Sequence, residues 1–423
     1  MIIRTVLVTS LFLAAVAVAP RYGSQPLSPR RRLMKPADMK ILKQVAEYKK
    51  NLLEDISSDG TLMLFYQTSN PMRTYTLPLE GSPGNANQPP VSDVSDDVLR
   101  VVERESGREL KRIKVEFFPE DVQFIPGTQL VFYKEPTKSG SKLEWRFKIW
   151  NIPKGEAKSC SDDDAIHSSY ITFLNNQLAL FAGWQESNKE EPLITLTLPN
   201  CKRRIIGPAN PSDAKARIWG GMGFSLSSDR HQVAYGTADK VVIRNAATLN
   251  TVKEIKPPSG LIFGGLPIYT PDGKFLLVVA SNTIYDKPET RRYLLFYDTT
   301  TFRIWRQLDI TRWSPPDLRL DVAVNSNVVG TAMAVSADSR LLAVGYTKEE
   351  QKFSSTTEQA QVVLYDLTTG EEVARASHPS RKHNPNDPFP AKVTRLTFTP
   401  DGKYLLSSSY DTLLWEILSK GGS

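Results

Sequence analysis

The densest group of side chains able to hold a cation is Asp162-Asp163-Asp164, with Cys160 before it and His167 after it. Hard cations take oxygen ligands, and their binding loops place carboxylates at alternate positions around a turning Gly. Three consecutive Asp do neither, so the segment reads as a solvated connection and no metal is expected. His378 and His383 flank Pro379-Ser380-Arg381-Lys382 in a Pro-rich stretch that runs to Pro390. No regular element there would hold two imidazoles at a fixed separation, so a zinc-type pair is not expected either. Gly220-Gly221-Met222-Gly223 precedes a strand-like run instead of a helix, and so lacks the dipole that would hold a phosphate. The chain has no Gly-x-Ser-x-Gly elbow, no Walker loop and no metalloprotease His-Glu pair. No catalytic residue and no cofactor are assigned. Aromatic residues remain: Trp184, Trp219 and Trp313 fall outside or at the ends of core strands, where they either anchor a partner or cover the core beneath an insertion. Together with His378 and His383 they form the candidate partner-binding set.

These residues hang on a repeated framework. A hydrophobic strand, a polar turn around Asp-Gly and a second hydrophobic strand recur along the chain. The turns are Thr399-Pro400-Asp401-Gly402, Thr270-Pro271-Asp272-Gly273, Ser336-Ala337-Asp338-Ser339, Ser227-Ser228-Asp229-Arg230 and Ser57-Ser58-Asp59-Gly60. Two degenerate copies follow the same outline around Ile125-Pro126-Gly127 and Leu174-Asn175-Asn176. Seven hairpins are therefore predicted, since Gly and Asn accept positive φ and Pro presets the turn entry. A third strand follows each one: Val98–Glu103, Trp145–Ile152, Leu193–Leu198, Lys240–Asn245, Tyr293–Asp298, Gln361–Leu367 and Thr412–Ile417. A unit of ~40 residues with four strands is the period of a propeller blade.

The run from Phe398 to Ile417 resembles a repeat of the WD-repeat β-propeller family. That family's Trp-Asp position is held by Trp150-Asn151, Arg244-Asn245, Tyr297-Asp298, Tyr365-Asp366 and Trp415-Glu416. Its Gly-His pair is missing from the recognisable blades, so the resemblance does not carry its buried His–Asp network to these residues. The resemblance implies an all-β, seven-bladed propeller over roughly residues 50–417. The last blade lacks a fourth strand, and Met39 to Tyr48 is otherwise an orphan segment. In similar propellers the N-terminal segment completes the last blade, and the expected domain is therefore 39–418; the rival reading of that segment is an external amphipathic helix.

Ahead of it, residues 5–19 form an uncharged run behind Arg4. Fifteen residues make ~22 Å of helix, short of a ~30 Å hydrocarbon core, so residues 1–19 read as an export signal cut near Val18 or Pro20. A mitochondrial presequence and an uncleaved anchor are the alternatives. The net charge of +7 is concentrated in the first fifty residues, which alone carry +8. Residues 20–38 are thus a basic, flexible segment suited to peripheral contact with anionic membranes. The remainder sums to −1, and nucleic-acid binding, which needs basic residues on the folded part, is not expected. The only Asn-x-Ser triplet contains Pro211, which tilts the compartment toward a bacterial periplasm or exterior. Strand register sets Cys160 and Cys201 on opposite faces of the ring, so two separate thiols are expected despite export.

The function expected is a non-catalytic, rigid scaffold that binds protein partners through loops of one face. The long connections Gly81–Asp97, Thr311–Val329 and Ser377–Lys392 are its first candidates. Alternatives are a channel-mouth enzyme of the lactonase or quinone-dehydrogenase kind, marked by polar side chains converging at the inner strands, and an accessory subunit of a membrane complex.

Overall fold

The computed structural model describes residues 40–68, 97–116, 119–139, 142–159, 167–184, 192–208, 223–237, 239–282, 290–313, 318–320, 333–352, 355–382 and 393–419. They form seven antiparallel sheets in a ring. Strand β1 (Lys40–Tyr48) precedes blade one, which is β2 (Asn51–Ile56), β3 (Leu62–Gln67), β4 (Val98–Glu103) and β5 (Glu109–Lys114). Blade two is β6 (Glu120–Phe124), β7 (Leu130–Ser139), β8 (Lys142–Asn151) and β9 (Glu156–Ser159). Blade three is β10 (His167–Phe173), β11 (Leu178–Trp184), β12 (Pro192–Thr197) and β13 (Lys202–Pro208). Blade four is β14 (Ser225–Leu226), β15 (Gln232–Gly236), β16 (Val241–Asn245) and β17 (Thr251–Ile255). Blade five is β18 (Ile262–Tyr269), β19 (Phe275–Ser281), β20 (Arg292–Asp298) and β21 (Ile304–Asp309). Blade six has six strands: β22 (Leu318–Leu320), β23 (Met333–Val335), β24 (Leu341–Lys352), β25 (Ser355–Asp366), β26 (Glu372–Ser377) and β27 (Arg381–Lys382). Blade seven is β28 (Arg395–Phe398), β29 (Tyr404–Ser408) and β30 (Thr412–Ser419), completed by β1.

That completion closes the ring. β1 pairs antiparallel with β30 from Lys40↔Ser419 to Tyr48↔Thr412, as the orphan segment predicted, and is a strand instead of a helix. Without it β30 would present an unpaired edge to other chains. Leu53 N–H also donates to Ser408 and Thr412 hydroxyls, 3.1 Å each, tying blade one to blade seven.

The second and third strands of each blade are covered on both faces by neighbouring blades, which is why they read as continuous apolar runs such as Leu276 to Ala280. The core lies between blades: Phe132 and Phe147 of blade two meet Phe173 and Phe181 of blade three with ring centroids 5.7 and 5.4 Å apart. Each fully buried side chain of this kind contributes roughly 1.5–3 kcal/mol. First strands approach one another around the axis, β2 to β6, β14 to β18 and β23 to β28. Fourth strands make the exposed rim.

The recurring turn has a chemical basis. In five blades the opening Ser or Thr donates its hydroxyl to the Asp two residues on, at 2.5–2.6 Å. The same oxygen accepts the N–H five residues on, from Leu62, Gln232, Phe275, Leu341 and Tyr404. The Ser57 hydroxyl and the Thr61 N–H hold Asp59 below the usual carboxylate range. Blade two substitutes Thr128, which caps Leu130, and blade three substitutes Asn175, which caps Gln177. Gly60 and Gly273 have φ near +73°, and a Cβ on either would sit 2.7 Å from Pro400 or Ser228 of the adjacent blade. The hairpin glycine therefore serves both the turn and the contact between turns.

The positions aligned with the family's Trp-Asp pair divide their work. Asn245, Asp298 and Asp366 accept N–H groups two and three residues on and cap the outer turn. The preceding residue reaches its neighbouring strand: Arg244 donates to Tyr235 (2.9 Å), Tyr365 meets Tyr346 (2.8 Å) and Trp415 donates to Ser407 (2.8 Å).

The cysteine expectation is corrected. Cys201 is disulfide-bonded, and Cys160 is the only other cysteine in the chain. Cys160 itself is outside the described residues, but β9 ends just before it with Ser159 opposite Lys148, in the middle of β8. The fourth strand of blade two thus stops short of the far face that a full-length strand would reach. Cys201 is buried in the cluster shared by blades two and three.

Candidate functional site

Antiparallel order divides the ring into two unlike faces. The first and third connections of each blade lie at one end of its strands, the second connection and the link to the next blade at the other. At the first end every turn is short: the first turn has five residues in six blades and four in blade three, and the third connections have four or five. These turns also touch around the ring: Arg230 donates to Phe173 and Leu174 carbonyls, and Asp272 N–H donates to Ser339. The other end carries all the elaboration. The strand ends there are joined by the connections 68–97, 160–166, 185–191, 209–224, 282–291, 310–332 and 378–394, and by the long hairpins β7–β8 and β24–β25. The β24–β25 hairpin rises beyond the ring and is flanked by β22, paired to Tyr346–Lys348, and β27, paired to Thr357–Glu358.

The channel between the inner strands holds a charged group. Glu54 and Asp55 come from β2, Asp121 from β6 and Arg395 from β28, so three blades contribute. Arg395 lies 3.6 Å from Asp55, whose other oxygen accepts Phe124 N–H at 2.8 Å. Lys134 is 3.5 Å from Asp121 and 2.7 Å from Glu120. Burial pushes Glu54 up to about 7, opposed by Arg395 and reinforced by Asp55 and Asp121. Burial raises Asp55 and Asp121 as well. A carboxyl poised near neutrality beside an Arg is an arrangement that can move a proton. Among the described residues no group of three or more His, Cys, Asp or Glu is placed to hold a metal ion.

The candidate partner-binding set is dispersed. Trp313, in a short 3-10 turn after β21, is 6% exposed, stacks on Tyr365 at 4.0 Å and donates its indole N–H to Gly370 at 3.1 Å. It covers the junction of blades five and six and offers no free surface. His378 is buried as well; its Nε2 lies 2.8 Å from Ser407, which also accepts Trp415. Burial drives its pKa down to about 4, and Nδ1 has no hydrogen-bond partner. A His–Ser–Trp chain therefore exists in the last blade although no Gly-His pair announces it. Trp184 ends β11 opposite His167, at the elaborated end. Trp219 and His383, and the Asp162-Asp163-Asp164 cluster, lie outside the described residues.

Sequence reasoning missed the channel group because its members sit far apart in the chain and share no motif. It also missed Trp305, the most exposed large hydrophobic residue described, at 61%.

No protein-family model matches the chain, and no curated protein matches its sequence. Among solved structures it is similar to the β-propeller domain of Cps50 (Swd1) from Myceliophteria thermophila, at 11% identity over 89% of this chain and 99% of that one, TM-score 0.54. It is also similar to hydrazine synthase of Kuenenia stuttgartiensis, at 12% identity over 88% and 96%, TM-score 0.52. At such identity the likeness shows the seven-bladed propeller fold alone.

Proposed function

We propose that the chain is an exported, divergent WD-repeat-like propeller that works as a non-catalytic scaffold, binding a protein partner on its elaborated face. The asymmetry of the faces carries this reading: short capped turns close one end, and every long connection joins strand ends at the other. Binding on such a surface is favoured because the ring fixes the loop bases and lowers the ordering cost. Export is supported by the apolar run 5–19 and by the bonded state of Cys201, since structural disulfides persist in oxidising compartments. The propeller would begin near residue 39, behind a basic segment able to rest on anionic head groups.

Replacing residues 348–358 by a two-residue turn tests the scaffold. The shortened protein should keep its melting transition yet lose its stoichiometric partner in envelope extracts. Unchanged partner recovery would sink the reading.

The channel group favours a second reading, a ligand or proton-transfer site at Glu54, Asp55, Asp121 and Arg395. It separates from the first because Glu54→Gln would then abolish a turnover or a ligand-dependent melt that hairpin removal leaves intact.

A further inference from the structure

Fourth strands of a propeller leave one backbone edge unpaired, and natural sheets blunt such edges with charge, twist or cover. Blades one and six do so here. On β5, Arg112 pairs with Glu109 on the same strand, and on β26 Arg375 pairs with Glu372 at 2.7 Å. Blade five also sets apolar side chains on this strand. Its outer strand β21 shows Ile304 and Trp305 to solvent, 41% and 61% exposed, and pairs only with β20 among the described residues.

Trp305 stands at a bulge. Phe296 faces Arg306 and Tyr297 faces Ile304, leaving Trp305 as the extra residue. Bulges re-aim a side chain, and the equivalent residues of other blades differ in where it goes. In blade six it is Val373, buried against blade seven; in blade one it is Leu110, packed on the core; in blade four it is Val252, a smaller side chain 46% exposed. In blade five the indole instead leans on Phe275, ring centroids 4.7 Å apart, and meets Phe296 edge-on at 6.3 Å, while staying 61% exposed.

The surroundings are basic in a body whose net charge is slightly negative. Arg303 is exposed beside Trp305, and Arg306 lies over Phe296 while donating to the Leu367 and Thr368 carbonyls. The neighbouring rim adds exposed Lys253 and Lys256 from blade four and Lys202 and Arg204 from blade three. The nearby carboxylates face cations: Glu254 pairs with Lys240 at 3.1 Å, and the charges of Arg291 and Arg312 act on Asp309, which also accepts Thr311 N–H at 2.9 Å.

We propose that the free edge of β21 is a second docking site, taking an extended acidic segment of a protein partner as an added strand, with Trp305 as its anchor and Arg303 reading its charge. Main-chain bonds to an exposed edge supply affinity in this mode, and pockets for alternate side chains supply selectivity. The site lies on the rim, away from the insertion-bearing face, so its failure would leave the scaffold reading standing.

A displayed library of random twelve-residue peptides, panned on the full chain, tests it. Enriched peptides should alternate Asp or Glu with apolar residues. They should bind at least tenfold more weakly to Trp305→Ser and to Arg303→Glu, and lose binding when N-methylated at alternate amides. Both residues are exposed, so both variants should melt as the parent does. Enriched peptides of basic or uncharged composition, or equal affinity for both variants, would overturn the proposal. So would a parent dimer that Trp305→Ser dissolves, or competition by a single-stranded oligonucleotide in place of an acidic peptide.

Discussion

Glu54 is the channel residue whose replacement says most. Its pKa stands at about 7 against 4.5 for the unburied group, so the folded protein resists ionising it. The sign follows from linkage. Below 4.5 the carboxyl is protonated folded and unfolded, and its full contribution is present; that contribution is lost as pH rises through about 7. The displacement is worth about 3 kcal/mol at 1.36 kcal/mol per pH unit. Glu54 is only half-buried, and screening brings the expected effect to about 2 kcal/mol. Glu54→Gln keeps the shape and removes the titration. Urea denaturation followed by tryptophan fluorescence should show the variant about 2 kcal/mol more stable than the parent at about pH 8 and equal to it at about pH 4. A difference independent of pH, or a variant less stable at high pH, would refute the burial of this carboxyl among the inner strands.

His378 runs the opposite way. Buried and neutral, with a pKa of about 4, it contributes stability above its ordinary 6.5 that is lost as pH falls through about 4, and an NMR titration of its ring should find that midpoint; one near 6.5 would contradict its burial. Gly370 has φ +77°, and a Cβ there would lie 2.6 Å from Leu308, so Gly370→Ala should cost about 2 kcal/mol by denaturation, part of it recovered in the Leu308→Ala background. Denatured, unreduced protein should show no free thiol by titration, and reduction should cost about 3 kcal/mol. Deleting residues 1–49 removes β1, uncovers the edge of β30 and should give concentration-dependent aggregation by light scattering.

The blade repeat was legible because its turn chemistry is local. A Ser or Thr hydroxyl, an Asp two residues on and an N–H five residues on lie within one hexapeptide, and even the Thr128 and Asn175 substitutes fit the same outline. The closing strand was legible because the last blade lacked a partner. Strand length carries no such signal. β9 stops at Ser159 where a full-length strand would continue, and that shortening reversed the cysteine expectation. Bulges hide the exposed side chains for a similar reason. One extra residue shifts the alternation, so Trp305 reads as an ordinary strand position while Trp313, outside any strand, proves to be core. The channel group stayed hidden because Glu54, Asp121 and Arg395 meet only when the ring closes.

In the proposed scaffold the elaborated face does the binding. Photo-crosslinking residues placed singly at Lys348 and Gln359 on the β24–β25 hairpin, and at Lys274 and Lys403 on the tight-turn face, read it directly. One discrete partner adduct is expected from the first pair and none from the second; adducts from Lys274 or Lys403 with a silent hairpin would contradict binding by the elaborated face.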